Sequence, residues 1–253
     1  QLADGSLGLL PEEWLRKYSL LFKVGEEKDK GLKLSKYNFS VIDELYEFID
    51  DEAVVVELEQ KRRKLLQFDE IRNIALPENL NATLRPYQES GFQWLNYLDD
   101  IKWGGILADD MGLGKTIQAL TFLQYYKNKN GGKTMALIVC PTTLIYNWEN
   151  EIKKFTPDIR HHIHHGPARL KSFEELSKFD AVITTYGTLR SDIQLLMKLE
   201  FDYVILDESQ AIKNPQSKVT KAAQLLQTKN RLALSGTPMQ NNTFDIYAQM
   251  NFL

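Results

Sequence analysis

Residues 109–116 read Asp-Asp-Met-Gly-Leu-Gly-Lys-Thr, and residues 207–208 read Asp-Glu. The first stretch has the residue types that hold a phosphate. Gly112 and Gly114 leave the backbone free to curl until successive N–H groups face one oxyanion. A helical pattern follows at once, so a helix N-terminus would add positive potential there. Lys115 is placed to reach the β- and γ-phosphates of a nucleoside triphosphate, and Thr116 to offer its hydroxyl to magnesium. The usual spacing, Gly-x4-Gly-Lys-Thr/Ser, asks for glycine where this chain has Asp109. A plain turn before a helix would account for the two glycines. It would not account for Gly-Lys-Thr between the apolar pair Ile106-Leu107 and an amphipathic helix.

The Asp207-Glu208 pair closes an apolar run, "YVIL". Successive strand residues point to opposite faces, but where a strand ends the backbone turns and both carboxylates can serve one site. Asp207 would hold magnesium through its water shell, and Glu208 would orient and deprotonate an attacking water. Such a pair is weak evidence alone. After a phosphate loop whose metal lacks any other carboxylate, it becomes strong.

These groups need elements that bring strand ends together. From Gly105 onward, apolar runs ("GILA", "ALIVC", "RHHIHH", "AVITTY", "YVILD", "RLALSG") alternate with helical patterns such as "TTLIYNWENEIKKF" and "SKVTKAAQLLQ". That alternation predicts an α/β fold, a mainly parallel, doubly wound sheet covered by helices on both faces, with ligands at the carboxyl ends of the strands. Residues 1–76 differ. Ser40 and Asp43 open a charged helical stretch over 40–68, and "EEKDKGLKLSKYNF" reads as a turn plus a short strand. We expect a small α+β extension over 1–76 and the main lobe over 77–253. The Lys61–Lys64 run reads as a solvated helix face rather than a nucleic-acid contact.

A chain of 253 residues, 43% hydrophobic and 26% charged, can bury one substantial core and has the composition of a globular protein. Its net charge of −3 is uneven, with 16 acidic and 12 basic side chains in residues 1–76. No basic tail is present, so nucleic-acid binding would need a local patch. The longest apolar runs are too short to span a bilayer, and the first residues lack a signal-peptide pattern. The single Cys140 excludes an internal disulfide framework and fits a reducing compartment, so cytoplasm is expected. Starting at Gln1, the chain is expected to be a piece of a longer one. "HHIHH" holds every histidine, but each strand face would offer at most two ligands, so a strand edge is preferred to a metal site.

An ordered set of motifs then stands out: "LRPYQESGFQWL", "LADDMGLGKTIQAL", "LIVCPTTLIYNWENEIKKF", "DAVITTYGTLR", "LDESQAIKNPQSKVTKA" and "RLALSGTPMQNN". Over residues 84–253 the chain resembles the first RecA-like lobe of the Swi/Snf-type DNA-dependent ATPases of helicase superfamily two. The preceding residues are similar, more weakly, to the extension of bacterial members. In this family the loop commonly reads Asp-Glu-Met-Gly-Leu-Gly-Lys-Thr, so Asp109 is regular and only Asp110 departs. By resemblance, the cofactors are ATP and Mg2+. Asp109, Asp110, Met111, Gly112, Leu113, Gly114, Lys115 and Thr116 form the phosphate loop, and Thr116 and Asp207 serve the metal. Lys115, Glu208 and Gln210 serve catalysis, while Arg85 and Gln88 should sit against the adenine.

The resemblance also implies a double-stranded DNA partner gripped through its backbone by Pro141, Thr142, Thr184, Thr185, Tyr186 and Gly187. For Trp148, a core contact beneath its helix is favoured over a nucleic-acid contact. Ser235, Gly236, Thr237 and Gln240, with Asn241, should couple the carboxylates to a second lobe. That lobe would bring the arginines that complete the site, so residues 1–253 alone are expected to bind ATP and turn it over slowly. Two alternatives stand beside this reading: an RNA helicase lobe, opposed by Ser-Gly-Thr-Pro at 235–238, and a non-catalytic ATP-binding scaffold, opposed by the retained Lys115, Thr116, Asp207 and Glu208.

Overall fold

The computed structural model describes residues 71–167, 169–237 and 243–253, together with strands at 26–28 and 31–33. The chain divides into two compact units, Gln1–Leu66 and Gln67–Leu253. In the first, β1 (Glu26–Lys28) and β2 (Gly31–Lys33) pair antiparallel, a hairpin where the sequence suggested a turn and one strand. The helix expected over 40–68, with Lys61–Lys64, lies outside the described residues. The second unit begins before the expected boundary at 77. Ile74 and Leu76 pack on its core, and the Gln93 side chain clamps the Ile74 backbone, accepting from its N–H at 2.8 Å and donating to its carbonyl at 2.7 Å.

Helix α1 (Pro86–Ile101) has proline at its first position, where no N–H is needed. β3 (Gly105–Leu107) then leads through the phosphate loop into α2 (Lys115–Lys129). β4 (Ala136–Cys140), a 3₁₀ turn at Thr142–Leu144 and α3 (Ile145–Phe155) follow. After β5 (His161–His164) come α4 (Phe173–Leu176), β6 (Ala181–Thr185), α5 (Tyr186–Ser191) and α6 (Ile193–Leu196). The lobe continues with β7 (Glu200–Asp207), a 3₁₀ turn at Ser209–Ile212, α7 (Lys218–Gln224), β8 (Gln227–Leu234) and α8 (Thr243–Phe252). Among the described residues, no helix is long and apolar enough to cross a membrane.

The strands form one sheet in the order β3-β8-β7-β4-β6-β5, every pair parallel. All six apolar runs of the sequence are strands in it. Its two faces explain why β4 is apolar throughout and β6 apolar up to Ile183. Ile138 and Ile183 pack with Phe92, Phe122 and Trp148 on one side; Leu137, Val139 and Val182 pack with Leu189, Leu196 and Ala223 on the other. A strand buried on both faces has no position to spare for water, so it reads as a continuous apolar run.

The order fixes what meets at the carboxyl edge. The loop after β3, Ser235 after β8 and Asp207 at the end of β7 are neighbours across three adjacent strands. Pro141 after β4, Tyr186 after β6 and His165 after β5 occupy the other three.

Candidate active site

The phosphate loop is built on two left-handed glycines, Gly112 (φ 82°) and Gly114 (φ 80°). Gly114 begins α2, and a Cβ there would come within 2.6 Å of the Gln88 amide nitrogen. A Cβ on Gly112 would meet nothing within 4 Å, so only its backbone demands glycine. The Lys115 ammonium donates to the carbonyls of Asp109 (2.7 Å) and Asp110 (3.1 Å), curling the loop around its own cation. Gly236, after β8, passes so close that an added Cβ would lie 2.7 Å from Met111 Cγ and 3.7 Å from Lys115 Nζ.

Gln88 spans α1 and the loop. Its Oε1 accepts the Arg85 N–H (2.9 Å) and its Nε2 donates to the Leu113 carbonyl (3.1 Å), which also accepts from the Tyr87 hydroxyl. The amide expected to pair with adenine therefore already braces the loop, leaving one N–H and one lone pair for a base. Arg85 is exposed beside it. An open groove of about 340 Å³ runs alongside, lined by Tyr87, Ser90, Gly91, Trp94 and Asp109 among others.

One residue that holds the loop is not marked in the sequence. Gln118, fully buried on α2, donates to Asp109 Oδ2 at 2.8 Å and to the Gly114 carbonyl at 3.3 Å. Asp109 thus fills the place of a first glycine with a carboxylate that the helix holds. Gln118 Oε1 faces Gly91, where a Cβ would come within 1.8 Å. The signal, a polar residue on the inward face of α2, lay in the sequence but pointed to no partner.

Asp207 is buried, and both of its carboxylate oxygens are engaged: Oδ2 accepts the Trp148 indole N–H at 2.8 Å and Oδ1 the Glu208 N–H at 2.9 Å. Burial pushes its carboxyl above the usual carboxylate range, helped by the Glu208 charge and opposed by the Trp148 bond and Lys115. A cation beside it would offset that cost. Glu208 is a non-glycine residue in the left-handed region (φ 50°). Its Oε2 accepts from Gln210 Nε2 at 2.6 Å, and Gln210 Oε1 accepts from the Ser235 hydroxyl at 3.1 Å. The Thr237 N–H closes the chain on Ser235 Oγ at 3.1 Å. Ser235 therefore reaches Glu208 through Gln210 rather than directly. Gln240 and Asn241 lie outside the described residues. Ser209, behind the pair, is fully buried and donates to Gln249 on α8.

On the nucleic-acid side, the structure places the expected residues differently from one another. Thr184 is fully buried and its hydroxyl donates to the His164 carbonyl at 2.9 Å. Thr185 caps α5, accepting from the Thr188 N–H at 3.1 Å. The Tyr186 hydroxyl donates to the Asp207 carbonyl at 2.7 Å, so burial and the two nearby carboxylates hold the phenol well above its ordinary range. The Thr185 hydroxyl also donates to Thr188 Oγ1 at 3.0 Å, so all three hydroxyl protons are used within the fold. Of the six expected residues, Thr142 and Gly187 are exposed, and Pro141 and Tyr186 half-exposed. Trp148 is fully buried, as its favoured reading had it, yet it also carries the bond to Asp207. Cys140 beneath it is buried, with its thiol pushed up to about 12.

The residues expected at a nucleotide site thus converge at three adjacent strand ends, and a family model described as SNF2-related domain matches residues 87–253. The chain belongs to the SNF2-related family. This SNF2 lobe is 36% identical over 218 residues to the TATA-binding protein-associated factor MOT1 of Saccharomyces cerevisiae, covering 80% of the chain and 12% of that protein. It is 37% identical over 189 residues to an uncharacterized ATP-dependent helicase of Mycoplasma pneumoniae, covering 74% of the chain and 18% of the relative. Among solved structures it is similar to the Sulfolobus solfataricus SWI2/SNF2 ATPase core in complex with dsDNA (TM-score 0.65, 39% identity, 72% of this chain and 38% of that one). The chain therefore spans a fifth or less of those two curated relatives.

Proposed function

We propose that this SNF2 lobe binds ATP with magnesium and, together with a second lobe of its family, hydrolyses it to move along double-stranded DNA in the cytoplasm. The observation that carries the reading is the hydrogen-bonded chain Ser235–Gln210–Glu208, ending beside Asp207 and a glycine loop that holds Lys115. A triphosphate would replace the Asp109 and Asp110 carbonyls as the partner of the Lys115 ammonium, a charge-assisted exchange. The donor set, a threonine hydroxyl and a buried carboxylate, is all oxygen and fits a hard divalent cation. Thr116 and Asp207 would hold that ion, and it would neutralise charge on the phosphates.

Glu208 is the base in this reading. Gln210 fixes one of its oxygens, leaving Oε1 to take the proton as the water oxygen forms its bond to the γ-phosphorus and the bridging oxygen leaves with ADP. The exposed Thr142 and Gly187 are the points we assign to the duplex backbone. Phosphoryl transfer spreads negative charge that Lys115 and the cation meet only in part; arginines of the second lobe would supply about 10³–10⁵ in rate. A phosphate-release assay tests this: the full-length protein should respond to duplex DNA more than to RNA, and residues 1–253 alone should turn over slowly. Strong duplex-stimulated turnover by the lone lobe would overturn the two-lobe reading.

A further inference from the structure

Two aromatic side chains reach from the segments after β4 and β6 to the catalytic turn, and they hold the same residue. Trp148 lies on α3, directly after the Thr142–Leu144 turn, and its indole N–H donates to Asp207 Oδ2 at 2.8 Å. Tyr186 opens α5, next to exposed Gly187, and its hydroxyl donates to the Asp207 main-chain carbonyl at 2.7 Å. The side chain and the main-chain carbonyl of Asp207 thus each accept from one of these two aromatic donors. The donors come from the two segments that we assign to the duplex backbone.

The next residue makes that grip consequential. Glu208 stands at φ 50° without being glycine, a conformation that persists only where its surroundings over-determine it. From that position its carboxylate meets Gln210. If Asp207 were released, Glu208 could relax to an ordinary negative φ and swing its carboxylate away from Gln210 and Ser235. The turn would then have two arrangements, gripped and released, which is what physical coupling between distant sites requires.

We propose that Trp148 and Tyr186 are positioning residues that transmit duplex contact at the Thr142 and Gly187 segments to the Asp207–Glu208 turn, making ATP hydrolysis responsive to DNA. This rests on the function proposed above. It assigns the regulation of that site to two donors that bind neither ATP nor DNA. Coupling of this kind is reciprocal in binding: if duplex favours the gripped turn, then ATP favours duplex by the same factor.

The test uses the full-length protein with Trp148→Phe and Tyr186→Phe, which keep an aromatic ring at each position and remove each donor. Duplex affinity is measured with and without magnesium and a non-hydrolysable ATP analogue, giving a coupling factor; ATP turnover with and without duplex gives a stimulation ratio. Each variant should lower both quantities by about fivefold or more, and the double variant should lose little beyond either single one. A purely structural role would lower the melting temperature and leave the coupling factor at the wild-type value. That result in Tyr186→Phe, which removes a single oxygen and decides the matter even if Trp148→Phe fails to fold, would overturn the proposal. A wild-type protein indifferent to duplex would overturn the functional reading itself, and the coupling with it.

Discussion

The carboxyl edge of the sheet has two halves that treat their polar residues differently. After β3, β8 and β7, Lys115, Thr116, Glu208 and Gln210 are half-exposed; Lys115 bonds its own loop, and Gln210 joins Glu208 to Ser235. At the end of β6, the hydroxyls of Thr184, Thr185 and Tyr186 turn inward and are used by the fold. The lesson concerns residue type. A lysine or glutamate is too costly to bury unpaired, so its presence at a strand end points to an open site. A threonine can cap a helix, bond a carbonyl or touch a ligand at similar cost, so its presence points nowhere in particular.

The largest test of the nucleotide half is Glu208→Gln in the full-length protein. Turnover should fall by about 10²–10⁴ while ATP still binds, read by phosphate release and nucleotide titration. Near-normal turnover would remove the base from this half altogether. Lys115→Ala comes next: calorimetry should show Mg-ATP binding weakened by about 1.5–3 kcal/mol, a lost charge-assisted bond.

The two loop glycines sharpen the picture within that half. Gly114→Ala and Gly112→Ala should each cost about 1–2 kcal/mol of backbone energy in the left-handed region. Gly114→Ala should cost more in denaturant melts, because its Cβ would also press on Gln88, whereas Gly112 opens on space. Equal destabilisation would mean the Gln88 brace is slack.

On the other half, Thr184→Val should lose about 1 kcal/mol of stability, the worth of one buried hydrogen bond, and leave duplex affinity alone. Thr142→Ala should do the reverse, weakening duplex binding in a titration with an unchanged melt. If Thr184→Val weakened binding first, the inward assignment would fail.

The smallest effect is on acidity. Burial holds His164 below its ordinary 6.5, against the opposing pull of Asp192. A folded-state value below the unfolded one means that protonation favours the unfolded chain. Its contribution is therefore complete above 6.5 and declines as pH falls through the lower folded value. Melting temperature should drop as pH falls from 6.5 through the folded value, and His164→Asn should flatten the slope there.

Much of this was legible before the structure. Six apolar runs became six parallel strands, since double-sided burial leaves each a continuous apolar signature. The Gly-Leu-Gly-Lys-Thr loop was legible because backbone curvature and phosphate charge demand those types together. Gln118 and Gln210 differ in this respect: Gln210 sat inside a known motif, whereas Gln118 lay in a helical pattern with nothing to mark its partner. The role of Trp148 was half legible. Its size fixed it in the core, but its N–H found an acceptor 59 residues away.

The sequence by itself determined the fold class, the phosphate loop and the acidic pair, because each depends on local pattern: strand and helix periods, glycine freedom, charge at a strand's end. Only the tertiary structure decided which hydroxyls face water, that Gln88 braces the loop, and that Trp148 and Tyr186 hold Asp207. Those outcomes depend on strand order, which puts β7 between β8 and β4 and brings residues far apart in the chain within reach of one aspartate. A hydrogen bond needs its partners within about 3 Å, and no spacing along the chain encodes that distance once the backbone has crossed the sheet.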